Sequence, residues 1–258
     1  MVINVTDYAE SDKIITFYTQ SQGKQTCIAR GAKRSLKRFV NKLELFSWLD
    51  IEYVTGSRST LSRLDQAELT DPFSTLRTDY DRYVTANILC ELIQAGTRES
   101  DADPALFSLL AWALDHLNRG GPVIDILILF HIRLVNLLGY RPELTGCVSC
   151  HHLTLDRAPY SFRPGKNGIV CCRCNNAAMP VGNPISLATI KLLGKALELP
   201  PEKLDRLRFS PASANEALTV LRRYVTHLFQ REIHSWKYLN CRPANRNNTA
   251  GITSWTEY

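Results

Sequence analysis

The chain has 258 residues, of which 45% are hydrophobic and 22% are charged, and its formal net charge is +6. This length allows one large or two small domains with hydrophobic cores, and the composition excludes an intrinsically disordered chain. Seven basic residues and no acidic residue lie between Ile14 and Leu43; taking these seven from the 31 basic residues leaves 24, against 25 acidic residues. The whole positive excess therefore lies in one N-terminal stretch, as expected of a surface that binds a polyanion.

The N-terminal region is predicted to form a small β-barrel. Short segments rich in β-branched and aromatic residues are separated by turns at Ser21–Lys24 and Gly56-Ser57. The predicted strands are Lys13–Thr19, Gln25–Arg30, Leu43–Val54 and Thr60–Glu68. This pattern predicts an OB-fold barrel over residues 1–75, although an SH3-like barrel would give a similar pattern.

After Asp71-Pro72 the periodicity becomes helical, which predicts an α-helical domain over residues 76–240. The predicted helices are one with Tyr80, Val84, Ile88 and Leu92 in a stripe, one that begins at Asp103-Pro104, a central apolar helix Val123–Leu138, and one with Leu187, Ile190, Leu193 and Leu197. A last long helix is predicted from a capping box at Ser213–Glu216 to about Leu239. The polar residues 241–258 are predicted to form a flexible tail.

Cysteine spacing predicts a metal site inserted in the helical domain, at about residues 145–178. Two CxxC pairs with twenty residues between them are typical of a zinc ribbon that holds one structural Zn²⁺. The predicted ligands are Cys147, Cys150, Cys171 and Cys174. The alternatives are four cysteines without metal, or replacement of one ligand by Cys172, His151 or His152.

The N-terminal residues, the longest apolar run and the cysteines also predict the cellular compartment. Met1–Asn4 lacks the basic and apolar features of a signal peptide, and Val123–Leu138 is too short and too often interrupted to span a bilayer. We therefore expect a cytoplasmic protein. In that reducing compartment, cysteines bind metal more often than they form disulfides.

The basic stretch has two interpretations, a solvated surface or a nucleic-acid interface. Its basic residues are Lys24, Arg30, Lys33, Arg34, Lys37, Arg38 and Lys42. Small barrels bind single strands by combining a positive groove with stacking aromatic residues, which favours the second interpretation. The candidate stacking residues are Phe17, Tyr18, Phe39 and Trp48, but each is more typical of the core of a small barrel.

No catalytic motif is found: the sequence lacks GxxxxGK[ST], GxSxG, HExxH and a Rossmann glycine pattern. A zinc-dependent nucleic-acid-modifying enzyme is an alternative, with Glu143 or Asp156 as its general base, and an RNA-binding OB-fold protein is another. Cys27 and Cys90 are expected in the core, as is His131 with hydrogen bonds. His227 and His234, seven residues apart, are expected on one face of the last helix.

The assembly resembles the RecO family of bacterial recombination-mediator proteins. The matching segments are Tyr8–Asp12, Gly23-Lys24, Ala29–Ala32, Leu43–Leu49, Ala67–Leu69, Leu137–Pro142 with Cys147 and Cys150, Gly168–Cys171 with Cys174, Leu221–Tyr224 and His234–Leu239. Their order and spacing cover nearly the whole chain. Two departures are His151, where glycine is usual, and the additional thiol of Cys172.

The resemblance implies an N-terminal OB-fold, a helical domain and a zinc-ribbon insertion, without enzymatic activity. It further implies a protein of DNA repair and homologous recombination that binds single- and double-stranded DNA and anneals complementary strands. Such a protein would act at the nucleoid with RecR and single-stranded-DNA-binding protein to load the RecA recombinase. The seven basic residues would form the DNA surface, and the four cysteines the zinc site.

Overall fold

The architecture is that of a computed structural model, which describes residues 1–35, 37–55, 61–152, 158–175 and 182–239. The predicted turn at Gly56-Ser57, the candidate base Asp156 and the predicted tail 241–258 lie outside these residues. None of the helices in the described ranges combines the length and the apolar character needed to cross a membrane.

The N-terminal region forms a five-stranded sheet in the spatial order β1-β2-β3-β5-β4. Its strands are β1 (Val2–Tyr8), β2 (Asp12–Thr19), β3 (Gly23–Ala29), β4 (Trp48–Val54) and β5 (Ser62–Asp71). The edge strand β1 was missed because its apolar residues do not alternate regularly with polar ones, and its second half is exposed. The strand predicted from Leu43 begins only at Trp48. Leu43 and Phe46 lie in a loop but have buried side chains, and hydrophobic periodicity does not distinguish such residues from strand residues.

The sheet does not close into the predicted OB-fold barrel, which is therefore not confirmed. Within the described residues, β1 and β4 are its two edges, and β3 pairs with β5 in parallel. Two backbone hydrogen bonds bring the segment before β4 against the start of β1: Val2 N–H donates to Ser47 O at 2.9 Å, and Phe46 N–H donates to Val2 O at 3.0 Å. The curved sheet nevertheless has its own core, formed by Val2, Ile15, Phe17, Cys27, Ala29, Phe39, Leu43, Leu49, Leu64 and Ala67.

The predicted helical region is confirmed. Its helices are α1 (Thr75–Thr78), α2 (Tyr80–Gly96), α3 (Pro104–Asn118), α4 (Val123–Leu137), α5 (Leu187–Glu198) and α6 (Pro211–Phe229). Short 3₁₀ helices span Ala32–Arg34, Pro164–Lys166, Pro201–Arg206 and His234–Tyr238. Asp103 caps α3 by accepting hydrogen bonds from Ala105 N–H at 2.8 Å and Leu106 N–H at 3.1 Å. As predicted, α4 is central, with ten buried residues.

The last helix differs from its prediction at both ends. Its N-cap is Ser210, whose hydroxyl accepts from Ser213 N–H at 3.2 Å, so Ser213 lies inside the helix. The helix ends at Phe229, since Gln230 adopts a left-handed conformation with φ 50°. The segment His234–Tyr238 is a separate 3₁₀ helix, and the expectation that His227 and His234 share one helix face was wrong.

The cysteine segment contributes a three-stranded sheet between α4 and α5. Its strands β6 (Tyr160–Arg163), β7 (Gly168–Cys171) and β8 (Asn183–Ile185) lie in the order β7-β6-β8. The Phe162 ring packs edge-on against Tyr224 of α6, with ring centroids 5.2 Å apart. Phe162, Ile169 and Cys171 thus belong to the same hydrophobic cluster as the helices, so the insertion is packed on the helical core.

Candidate metal centre and nucleic-acid interface

The four predicted zinc ligands come together in space. Four sulfur atoms lie within 4.8 Å of one another, those of Cys147, Cys150, Cys171 and Cys174. The sulfurs of Cys150 and Cys171 are 3.9 Å apart. A tetrahedral zinc with Zn–S bonds of about 2.3 Å needs sulfurs about 3.8 Å apart. The arrangement therefore fits a four-thiolate metal site in which the sulfur atoms move slightly closer together when the ion binds.

Each CxxC pair is held by a tight turn. In the first turn His151 N–H donates to Cys147 O at 2.9 Å, and in the second Cys174 N–H donates to Cys171 O at 3.0 Å. The Cys147 sulfur accepts from Ser149 N–H and from Cys171 N–H, each at 3.4 Å. These N–H groups stabilise a thiolate at Cys147 and fix its direction before any ion binds.

The proton affinities of the four sulfurs are unequal. Burial acts to raise the pKa of the Cys147 thiol, but the backbone N–H groups of Cys171, Cys150 and Ser149 lower that pKa to about 6. Hydrogen bonding with the Cys150 side chain raises the pKa of Cys174 to about 12. Because metal binding requires thiolates, a divalent cation at this cluster would displace the protons that remain.

The alternative ligands lie outside the cluster. Among the described residues, only the four predicted cysteines form a group of histidine, cysteine or acidic side chains close enough to share an ion. This group does not include Cys172, His151 or His152. His151 has φ 55°, a left-handed conformation that glycine adopts more readily. The resemblance implies glycine at this position, and the left-handed conformation would be a physical reason for it.

The ribbon requires a close approach of its two arms at Gly168. Val148 N–H donates to Ile169 O at 2.9 Å, and Ile169 N–H donates to Glu143 O at 3.1 Å. A Cβ atom at Gly168 would lie 2.6 Å from a methyl carbon of Val148 and 2.7 Å from the Glu143 carbonyl oxygen. Only glycine therefore allows the first CxxC turn to lie against β7.

The candidate base Glu143 already accepts two hydrogen bonds. Its Oε1 accepts from both the hydroxyl and the backbone N–H of Thr145, the latter at 2.7 Å, and these bonds lower the pKa of the carboxyl group. A carboxylate with a lowered pKa is a weak proton acceptor near neutral pH. This geometry favours a structural metal site over a catalytic one.

The predicted DNA-binding residues divide into anchoring and exposed side chains. Three lysines bind backbone carbonyl groups: Lys24 Nζ donates to Thr97 O at 2.7 Å, Lys33 Nζ to Ala9 O at 3.0 Å and Lys42 Nζ to Ala67 O at 2.8 Å. These contacts hold the basic stretch on the sheet and on α2.

The exposed cations lie on the connection between β3 and β4, which we call the basic loop (residues 30–42). Arg30, Arg34, Lys37 and Arg38 are exposed there, and Lys33 is exposed as well although its Nζ binds Ala9 O. Arg38 donates to Arg30 O at 2.9 Å, and its guanidinium lies 4.3 Å from the centre of the Phe39 ring. The basic loop thus presents positive side chains to solvent from a framework held by Phe39, which is buried.

An acidic turn beside the basic loop was not foreseen from the sequence. Asp7, near the end of β1, lies 3.3 Å from Lys33, and Glu10, in the connection between β1 and β2, lies 3.6 Å from Arg34. Both members of the Arg34–Glu10 pair are mostly exposed, so the pair contributes little stability and leaves Arg34 available. The carboxylate of Asp12 accepts from Gly31 N–H at 2.8 Å, which lowers its pKa and fixes the start of the basic loop.

The candidate stacking aromatic residues belong to the interior. Phe17, Tyr18 and Phe39 are buried, and Trp48 is half-buried against Phe107 with ring centroids 5.7 Å apart. The expectation that these residues form the core is confirmed, and among the described residues the basic loop has cations rather than exposed rings to offer a nucleic acid.

The residues expected in the core are buried, but within the described ranges His131 lacks the hydrogen bonds that were expected for it. Cys27 and Cys90 are buried, and burial raises the pKa of each thiol to about 12. His131 is fully buried and stacks on Trp236 with ring centroids 5.8 Å apart, but neither ring nitrogen has a hydrogen-bond partner in the described structure. The hydrogen bonds expected for this histidine are therefore not found among the described residues.

These features define a class: a β-rich N-terminal region carrying a basic loop, joined to a helical region with a four-cysteine cluster that could hold a metal ion. Family models support the same division. Residues 1–73 match the model described as Recombination protein O N terminal, and residues 77–237 match Recombination protein O C terminal. The chain belongs to the RecO family of DNA repair proteins.

Individual relatives agree with this assignment over nearly the whole chain. The chain is 34% identical to the DNA repair protein RecO of Syntrophus aciditrophicus over 240 residues, which is 93% of each protein. It is 32% identical to the protein of the same name from Desulfosudis oleivorans, covering 93% of this chain and 95% of that one. The RecO protein of Bacillus pumilus is 31% identical, with 93% of this chain and 91% of that protein covered.

Proposed function

We propose that this protein is a non-enzymatic mediator of homologous recombination that binds DNA through the basic loop. The observation that supports the proposal is the exposure of Arg30, Arg34, Lys37 and Arg38 on one connection of the N-terminal sheet. Cations of this kind neutralise phosphates and release counterions, so binding is expected to depend on salt and little on base sequence.

The basic loop also fits the annealing of complementary strands. Contacts limited to phosphates leave the base edges of a single strand free to pair with a second strand. The buried positions of Phe17, Tyr18 and Phe39 agree with this mode, because none of these three rings is available to stack on the bases of a bound strand. We further propose that the protein acts in the cytoplasm, with RecR and single-stranded-DNA-binding protein, to load RecA.

The metal in this proposal is a structural Zn²⁺ at Cys147, Cys150, Cys171 and Cys174. A zinc ion there would supply folding free energy, on the order of 10–16 kcal/mol in small zinc domains, to a segment whose strands are only three or four residues long. The segment would then keep its packing against α6.

Charge reversal of the basic loop tests the DNA surface. Arg34→Glu with Lys37→Glu is compared with Lys191→Glu and Lys195→Glu, two exposed lysines of α5 with the same change in charge. The loop variant should bind labelled oligonucleotides of every sequence more weakly and with a flatter salt dependence, whereas the α5 variant should change little. Equal affinity and slope in the loop variant and the wild-type protein would show that the basic loop is not the DNA surface.

Annealing is tested on strands coated with single-stranded-DNA-binding protein, with the metal content of the protein measured alongside. The wild-type protein should anneal the coated strands and contain one zinc per chain. RNA and DNA strands compete in the same assay, and a clear preference for RNA would favour an RNA-binding protein instead.

A further inference from the structure

A cavity of about 380 Å³ lies where the cysteine-containing sheet meets α6. We call it the hairpin cavity. Three of its lining residues are cations from different parts of the fold: Arg163 ends β6, Lys166 lies in the 3₁₀ turn between β6 and β7, and Arg223 lies on α6. Asn183, Gly165 and Gly182 also line it.

Neutral groups orient the three cations. Arg223 donates through Nη1 to the side-chain oxygen of Asn183, and Asn183 is itself buried. Arg163 donates through Nη2 to Asn175 Oδ1 at 2.6 Å, and Lys166 Nζ donates to Ser149 Oγ at 3.0 Å. An amide oxygen fixes the direction of Arg223 and a hydroxyl oxygen that of Lys166, and both partners leave the positive charges of these two side chains in place.

No carboxylate lines the hairpin cavity among the described residues. Within that part of the chain, neither Lys166 nor Arg223 has an ion pair, whereas Lys33, Arg34 and Arg208 each have one. Like charges that converge on one cavity repel each other, and a bound anion removes this cost. The convergence therefore indicates a site for an anionic ligand.

The lining favours a phosphodiester over an acidic peptide. A guanidinium fork matches the oxygen atoms of a phosphate, and Arg223 lines the hairpin cavity together with the Lys166 ammonium group. Peptide sites depend on apolar pockets for anchoring side chains, but the hairpin cavity is lined by cations, glycines, Pro164 and Asn183, without a large apolar side chain.

We propose that the hairpin cavity binds the phosphodiester backbone of DNA, as a second contact besides the basic loop. This inference rests on the proposed function, because it assigns a further part of the same DNA surface. One chain would then hold DNA at the sheet and at the junction of the cysteine segment with α6.

The test measures the salt dependence of binding to labelled single strands by the full-length, zinc-loaded protein. The variant is Lys166→Gln with Arg223→Gln, and its matched control is Lys191→Gln with Lys195→Gln on α5. Loss of two phosphate contacts should reduce the slope of log K against log salt by about 1.4, since each contact to a single strand contributes about 0.7. A second variant, Lys166→Arg with Arg223→Lys, keeps the charges and should keep most of the slope.

Three outcomes would overturn the inference. The first is an unchanged slope in the Lys166→Gln, Arg223→Gln variant, provided that zinc content and thermal unfolding match the wild-type protein. The second is an equal loss of slope in the α5 control, which would show a general charge effect. The third is binding of inorganic phosphate or an acidic peptide, in isothermal titration, that these substitutions abolish while DNA binding persists. Failure of the proposed function itself is distinguishable, because the Arg34→Glu, Lys37→Glu variant would then bind DNA with the affinity and slope of the wild-type protein.

Discussion

Lys24 of β3 donates from Nζ to the carbonyl oxygen of Thr97 at 2.7 Å, and so joins the N-terminal sheet to the end of α2. The same ammonium group donates to Gln94 O at 3.2 Å, and the Lys24 side chain is only 14% exposed. A cation at this end of a helix meets unpaired carbonyl groups and the negative end of the helix dipole. Lys24 therefore has a structural role that its position in a basic run did not suggest.

We expect Lys24→Met to destabilise the protein by about 1–3 kcal/mol, because two carbonyl groups lose a charged donor while the aliphatic stem is kept. Urea unfolding measures the change. Lys37→Met is the matched control: Lys37 is exposed and has no hydrogen bond or ion pair in the described structure, so its substitution should leave stability unchanged.

The same two variants separate stability from DNA binding. Lys37→Met should flatten the salt dependence of DNA binding by about one phosphate contact, a slope of ~0.7 for single strands. Lys24→Met should keep the wild-type slope. If Lys24→Met were as stable as the wild-type protein but bound DNA with a reduced slope, the anchoring role assigned to this residue would be wrong.

Local patterns could be predicted from the sequence, and contacts between distant residues could not. Each CxxC turn is set by four consecutive residues, so the spacing alone predicted a cluster whose sulfurs lie within 4.8 Å. The stripes of α2 and α3 are equally local, and both helices formed where they were predicted. Val2 at the start of β1 donates a backbone hydrogen bond to Ser47 O, and no periodicity within β1 indicates that contact.

The contacts of charged side chains with distant residues could not be predicted from the sequence either. Lys24, Lys33 and Lys42 look alike in a basic run, yet each one binds a carbonyl group supplied by another element. The hairpin cavity joins Arg163 and Arg223, which are far apart in the sequence and share no motif. Counting charges therefore identified the stretch, but only the folded chain shows which cations remain exposed.

Removal of zinc should loosen the cysteine segment but not the N-terminal sheet, because the sheet has a hydrophobic core of its own. Hydrogen exchange with and without a chelator measures this: the amides of β6 and β7 should lose protection, and those of β2 and β3 should keep it. Cys150→Ser should lose the metal, whereas Cys172→Ser should keep one zinc per chain. Loss of zinc in Cys172→Ser alone would show that this thiol is a ligand.

Stability should fall in mild acid because of His131. Burial lowers the pKa of this histidine to about 3, from an unfolded value near 6.5, so between these values the unfolded chain binds a proton that the folded protein does not. The contribution of His131 is therefore fully present above about pH 6.5 and is lost as the pH falls towards 3. Urea unfolding over this range measures the effect.

His131→Phe should reduce that pH dependence and raise the free energy of unfolding by about 1–3 kcal/mol, because it removes two ring nitrogens buried without partners and keeps the stack on Trp236. His234→Gln, at an exposed position, should leave both quantities unchanged. A destabilised His131→Phe protein would indicate that the ring nitrogens have partners, such as a buried water, that the substitution removes.

Glu216 of α6 links its helix to the start of α5. Its Oε2 accepts from the N–H of Ser186 at 2.9 Å, from the Ser186 hydroxyl at 2.7 Å and from the Thr189 hydroxyl at 2.6 Å. Burial acts to raise the pKa of this carboxyl group, but the three hydrogen bonds outweigh burial and lower it. A lowered carboxyl pKa stabilises the folded state above the unfolded pKa, and the contribution is lost as the pH falls through the folded value.

Glu216→Gln should therefore cost about 1–3 kcal/mol at neutral pH, since an amide keeps one acceptor oxygen but loses the charge that strengthens three bonds. Exposed Glu198, at the end of α5, provides the control Glu198→Gln, which should not alter stability. The difference between the two variants should shrink in acid, where the wild-type carboxyl group is protonated as well. A difference that stayed constant from neutral to acidic pH would mean that Glu216 acts by packing rather than by its charge.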